Sequence, residues 1–267
     1  MNGNGKHVRR SGWSRRSVLG LGAVAAAGAV AGVKRKSFAA GYEDVIPAGS
    51  FNSFGDLETH WHYLYPWGDT HNGTAKMVGG PADRSHVSLD GGALTLTATP
   101  VSEGGIHYHS GAVHAKAHIV VSDAFPEWTM SGRFAPPTVP GTWPAFWLNA
   151  NSGWPPEIDI LEHKGDAVNW CNTFQTATRQ ADTTKVDVGG GEHDYSATLT
   201  KVAGSADVTV TYGLDGRTVA THTAVGYAGQ SLRLILNLQM EGSSGGPGPA
   251  GGATFRASNV TVRRLVA

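Results

Sequence analysis

Glu157-Ile158-Asp159-Ile160-Leu161-Glu162 sets three carboxylates within six residues, with a large aliphatic side chain at every position between them. Ile-Asp-Ile-Leu has the composition of a strand. Side chains alternate along a strand, so Glu157 and Asp159 share one face while Ile158 and Ile160 take the other. Strict alternation turns Glu162 away, because its offset from Glu157 is odd. One extra residue, a β-bulge near Ile160-Leu161, returns all three carboxylates to one face.

Three acids on one face admit three readings: a solvated strand, a metal site or a catalytic cluster. No Lys or Arg follows until Lys164, in a chain that is only 16% charged. Like charges this close are costly unless one of them holds a proton. Glycoside hydrolysis uses such an arrangement. One carboxylate attacks the sugar carbon, and a second, with a raised pKa, protonates the leaving oxygen. A third can hold the pair in position.

The flanks are Gly141-Thr-Trp-Pro-Ala-Phe-Trp-Leu148 and Trp154-Pro155-Pro156. With them, Glu157-Ile-Asp-Ile-Leu-Glu162 resembles glycoside hydrolase family 16, whose members include laminarinases, lichenases, agarases and carrageenases. The Glu-x-Asp-x-x-Glu spacing is that of the bulged branch rather than the unbulged lichenase form. The resemblance implies that Glu157 is the nucleophile, Glu162 the general acid/base and Asp159 the assisting carboxylate. Many members carry a histidine on the next strand, facing the acids. Here Trp170, Asn172 and Phe174 take one face of that strand, and Asn169, Cys171, Thr173 and Gln175 the other. Pro156 also stands where laminarinases commonly have Gly.

Composition narrows the class. Lys plus Arg balance Asp plus Glu at 21 each, so no basic excess exists to meet nucleic acid. The single cysteine, Cys171, excludes an internal disulfide. Thirty-seven Gly and eight Trp suit an all-β carbohydrate binder with many turns.

Residues 1–39 read as an export signal. Ser14-Arg15-Arg16-Ser17-Val18-Leu19 resembles the twin-arginine consensus of bacterial signals. Val18 to Val33 is mildly apolar and short for a membrane span. Ser37-Phe38-Ala39 offers small residues for cleavage. A basic tail and a retained anchor are the alternatives. The expectation is a secreted bacterial protein with no membrane attachment after cleavage, monomeric, with residues 40–267 forming one catalytic domain.

The remaining chain alternates. Strands are expected from Gly91 to Ala98, Phe125 to Phe134, Trp143 to Asn149, Asn169 to Phe174, Tyr195 to Thr200, Val208 to Tyr212, Thr218 to Thr223, Leu232 to Met240 and Phe255 to Leu265. Leu214-Asp-Gly-Arg217 is a hairpin signal. Phe146 and Leu148 point to the core, which leaves Trp143, Ala145, Trp147 and Asn149 on the opposite face. Trp side chains on a non-core face are suited to stacking on pyranose rings; burial under a loop is the alternative. Trp154, three residues before Glu157, is the leading sugar platform. Asn237 and Gln239 are the polar candidates from the Leu232–Met240 strand. Some of Tyr65, Trp67 and His71 would pack or touch sugar at the cleft end. His107 and His109 can share a face, but no cysteine or close carboxylate completes a metal site. By the family resemblance the Ser110-Gly111 turn leads into a strand beside the cleft, which nominates His109 as a sugar contact.

At least nine strands and no helical period after residue 50 argue for a β-sandwich. The resemblance sharpens this to an all-β jelly roll of two curved antiparallel sheets with an open cleft. It implies a secreted, retaining endo-hydrolase of a β-linked polysaccharide, with β-1,3- or β-1,3/1,4-glucan ranked first. A galactan of the agarose or carrageenan type is the rival substrate, and a non-catalytic carbohydrate-binding protein the rival class. No cofactor is required. Family members often bind structural calcium through an acid in the last strand, but Ser258 and Asn259 stand there.

Overall fold

A computed structural model describes residues 41–266. The export-signal reading of residues 1–39 lies outside the described residues. In chain order the strands are Gly41–Ile46 (β1), Trp61–Tyr63 (β2), Ala75–Met77 (β3), Val87–Asp90 (β4), Ala93–Glu103 (β5), Ile106–Ser110 (β6), Ala112–Ile119 (β7), Glu127–Ala135 (β8), Thr142–Ala150 (β9), Glu157–Glu162 (β10), Val168–Phe174 (β11), Ala181–Asp187 (β12), His193–Lys201 (β13), Val208–Leu214 (β14), Arg217–Ala224 (β15), Leu232–Met240 (β16) and Ala253–Val266 (β17).

They form two sheets. One runs β12-β11-β10-β9-β16-β7-β2. The other runs β15-β14-β13-β8-β17-β5-β6-β3, with β1 beside β17 and β4 beside β5. Neighbours are antiparallel except β3 and β6. This is the expected jelly-roll sandwich, and each of the nine expected strands is present.

The core lies between the sheets. Phe146 and Leu148 of β9, Ile158 and Leu161 of β10, and Leu234, Leu236 and Leu238 of β16 are fully buried from one side. Met130 and Phe134 of β8, Leu96 of β5 and Phe255 of β17 meet them from the other. Phe134 joins the layers: its ring lies 4.8 Å from Phe146, 5.8 Å from Tyr195 and 5.9 Å from Phe255. Each such side chain contributes roughly 1.5–3 kcal/mol by leaving water.

One expectation is corrected. Phe54–His60 is a short α-helix (α1). Ser53 caps it, its Oγ accepting from the Asp56 N–H at 3.1 Å, and Asp56 sits in the first turn, where the helix dipole favours an acid. Seven residues with one buried side chain, Leu57, are too few to show a 3.6-residue period. Among the described residues no helix is long and apolar enough to cross a membrane.

Candidate active site

The bulge is present in β10. Glu157 pairs with Asn149, Asp159 with Trp147, Leu161 with Phe146 and Glu162 with Ala145, so Ile160 is the unpaired residue. Asn169 holds it there: its Oδ1 accepts from the Glu162 N–H at 2.9 Å, and its Nδ2 donates to the Ile160 carbonyl at 3.1 Å. Glu157, Asp159 and Glu162 therefore emerge together on the outer face of the seven-stranded sheet. They line an open cavity of about 740 Å³.

Each carboxylate has its own partners. Glu157 Oε2 accepts from Trp154 Nε1 at 3.0 Å and from Asn149 Nδ2 at 3.3 Å. Glu162 Oε1 accepts from Trp143 Nε1 at 2.8 Å. Its Oε2 accepts from Asn172 Nδ2 at 2.8 Å and lies 3.3 Å from Lys164 Nζ. Asn172 Nδ2 also donates to Asp159 Oδ2 at 2.9 Å. Thr183 Oγ1 donates to Asn172 Oδ1 at 2.7 Å, which aims the amide nitrogen at the two acids.

Burial dominates the titration of this cluster. It pushes the Glu157 carboxyl up to about 7, with the charge of Glu162 adding to the shift and the Trp154 donor opposing it. Asp159 is held well above the usual carboxylate range by burial, then by the charges of Glu162 and Glu157. Burial and neighbouring negative charge therefore make Glu157 and Asp159 hold their protons to higher pH than free carboxyls do.

The cavity wall contains most of the residues nominated from the sequence: Trp143, Trp147, Asn149, Trp154 and Gln239. Their engagements differ. Trp143 donates to Glu162 and Trp154 to Glu157, and Trp154 remains 39% exposed. Trp147 is 4% exposed; His71 stacks on it, Trp67 meets it edge-on, and its Nε1 donates to Asn237 Oδ1 at 2.7 Å. Trp67 is the more open ring of that group, at 45%.

Two nominations are corrected. The Gln239 amide is already committed. Its Oε1 accepts from the Ala75 and Met240 N–H groups, and its Nε2 donates to the Ala75 carbonyl. It pins β3 against the end of β16 instead of offering a free group to sugar. His109 is not on the cavity wall. It sits on β6 in the other sheet system, where its Nε2 lies 3.1 Å from Glu103 Oε2. The Ser110-Gly111 turn does precede β7, but alternation sends His109 away from the cleft.

Other residues were not nominated. Asn172 was legible as a polar side chain on the Trp170–Phe174 face. Asn169 was placed on the other face, and its capping role needs the bulge geometry. Tyr227 left no local signal: from 70 residues away its hydroxyl accepts from the Glu157 N–H at 3.0 Å, and its one hydrogen faces the Phe174 carbonyl with the Glu157 carbonyl 3.0 Å away. At the last strand Ser258 and Asn259 stand where an acid would be needed for calcium, and among the described residues no group of three or more His, Cys, Asp or Glu is placed to hold a metal. Ser258 pairs with Arg133, whose guanidinium already binds Glu192 and Asp194.

No family model matches the chain. A galactan endo-β-1,3-galactanase of Flammulina velutipes is 44% identical over 233 residues, 82% of this chain and 90% of that protein. The endo-1,3-β-glucanase of Streptomyces sioyaensis superposes with a TM-score of 0.65 at 21% identity, over 85% of this chain and 98% of that one. SCLam, a non-specific endo-β-1,3(4)-glucanase from family GH16, does so with 0.59 at 18% identity, over 76% and 83%.

The chain belongs to glycoside hydrolase family 16. It is an endo-acting glycoside hydrolase. In this family 16 enzyme the carboxylates stand on a bulged strand, and Asn172 stands on the strand where a histidine was expected.

Proposed function

We propose that the chain is a retaining endo-β-1,3-galactanase. The observation that carries this reading is the 44% identity to a galactan endo-β-1,3-galactanase, over 82% of this chain and 90% of that protein. Sequence reasoning ranked glucan above galactan. The glucanases that share the fold are about one-fifth identical and speak to the fold alone.

In this reading Glu157 attacks the anomeric carbon from a position fixed by Trp154, Asn149 and the Tyr227 hydroxyl. The glycosidic C–O bond breaks, its electron pair passes to the leaving oxygen, and Glu162 supplies the proton. Water then attacks the glycosyl-enzyme while Glu162 takes back a proton, and the sugar departs with retained configuration. Asp159, whose hold on its proton is strengthened by burial and by the two glutamates, limits the charge between them. Trp154, still partly exposed, offers a face to a pyranose ring. Secretion through the twin-arginine route belongs to the same reading, on the strength of Ser14 to Leu19.

Reducing-end release from β-1,3-galactan, laminarin, lichenan, agarose and carrageenan tests it, with Glu157→Gln as control. Activity on the galactan that vanishes in the variant is the expected result, and NMR of the first product should show the β-anomer. Cleavage of laminarin alone would return the substrate to glucan. Equal binding without cleavage by both chains would point to a lectin.

A further inference from the structure

Past Asn149 and Asn151 the outer face of the same sheet turns basic. Glu157 pairs with Asn149, Asn149 with Arg233 of β16, and Arg233 with His118 of β7. At a strand spacing of about 4.8 Å, Arg233 stands two strands, roughly 10 Å, from Glu157, and His118 roughly 14 Å. One row away His114 pairs with His62 of β2, their rings 5.1 Å apart. Lys116 lies between His114 and His118 in sequence, and its ammonium donates to the Glu58 carbonyl.

These basic groups, Arg233 and Lys116 with the imidazoles beside them, have no acidic partner. Among the described residues no carboxylate stands within 4.0 Å of Arg233, Lys116, His62 or His118. The carboxylate of Glu58 is occupied by Arg84 at 2.8 Å and by the Tyr63 hydroxyl at 2.9 Å. Burial and then the charges of Lys116 and Arg233 hold His62 below its usual range. His118 is lowered by burial and Arg233. His114 is lowered by burial, against a bond to the Leu64 carbonyl, with His62 and Arg233 contributing.

The group is joined to the cleft. Arg233 Nε donates to Asn151 Oδ1 at 2.5 Å, and Asn151 lines the cavity. Among the described residues this bond leaves both terminal guanidinium nitrogens without a protein partner. A planar fork of this kind matches the oxygens of a carboxylate or sulfate. Two cationic side chains, Arg233 and Lys116, beside imidazoles that can take up a proton when an anion arrives, set a positive field at the end of the substrate cleft and favour an anion there.

We propose that Arg233 and His118, with His62 behind them, form a subsite for an acidic sugar of the polysaccharide, bound through its carboxylate or sulfate oxygens. The subsite lies beyond Asn149 on the Glu157 side of the cleft. The inference rests on the β-1,3-galactan reading for the identity of the backbone, but not for the anion.

The test compares initial rates of the full chain on three polymers: unsubstituted β-1,3-galactan, the same backbone bearing glucuronic acid, and its sulfated form. The expected ratio of kcat/KM, acidic to neutral, is about tenfold at low salt and falls toward one at roughly 0.5 M NaCl. It also falls toward one in Arg233→Gln and is partly kept in Arg233→Lys. Which acidic polymer is preferred separates carboxylate from sulfate. Equal rates on all three, or an Arg233→Gln chain slowed equally on all three, would overturn the subsite. If no galactan is cleaved, the backbone reading fails by itself. Affinity electrophoresis of the Glu157→Gln chain in polygalacturonate and dextran sulfate, against neutral dextran, then reads the anion site. Retardation by an anionic polymer that Arg233→Gln abolishes supports it; none overturns it.

Discussion

Glu157 shows how one carboxyl couples function to stability. Its folded pKa is pushed up to about 7 from an ordinary 4.5, so the folded state holds the proton more tightly than the unfolded chain. The stabilisation from that proton is complete below about pH 4.5 and is lost as pH rises through about 7, at most about 3 kcal/mol in all. Glu157→Gln should therefore match the wild type in urea unfolding at pH 4.5 and exceed it by about 1–3 kcal/mol at pH 8. A constant gap across that range would show that burial does not perturb the carboxyl. The same shift predicts that the acid limb of kcat/KM lies well above 4.5, toward 7, as an apparent value of the coupled cluster. Asn172 tests the electrostatics from the other side. Its one nitrogen serves both Asp159 and Glu162. Asn172→Leu should lower kcat about 100-fold, alter KM little and move the pH profile. A change confined to KM would make it a sugar contact.

Strand β10 presents its acids only because it is bulged, and the bulge depends on a neighbour. Asn169 satisfies the Glu162 N–H and the Ile160 carbonyl, both in a buried setting. Removing a partner from buried backbone groups costs about 1–3 kcal/mol for each. Asn169→Ala should lower stability by about 2–4 kcal/mol and reduce kcat by misplacing Glu162. Differential scanning calorimetry with single-turnover kinetics would check both effects; an unchanged melting temperature would mean that water replaces the amide. Alternation and the odd offset of Glu162 were enough to place the bulge, since an irregularity was the only way to bring the third acid round. Asn169 as its cap was not legible, because a side-chain bond to a bulge requires knowing which strand lies alongside.

Across the whole molecule the sandwich serves as a rigid base for a cleft made on one outer face. Phe134 bridges the two sheets through Phe146, Tyr195 and Phe255. Phe134→Ala should cost about 3–5 kcal/mol, seen in chemical denaturation, while kcat/KM well below the melting temperature stays near wild type. A loss of activity at full fold would show that strain from the core reaches β9 and β10. Tyr227 and Gln239 act at this scale too: each ties the cleft sheet to a distant segment, Tyr227 at the start of β10 and Gln239 at β3.

Local chemistry determined much of this protein. Period-two alternation marked the strands, and the spacing Glu157, Asp159, Glu162 marked the bulge and the cluster. Phe146 and Leu148 assigned the outward face of β9, because side-chain direction on a strand follows from the backbone alone. What the tertiary structure decided were the encounters between strands distant in sequence. Gln239 is spent on the backbone of Ala75, His109 faces Glu103, Trp147 is roofed by His71, and Arg233 stands beside His118. Alternation says which way a side chain points. Which neighbour has already taken its hydrogen bonds, its open face or its charge depends on sheet order, which no local pattern carries.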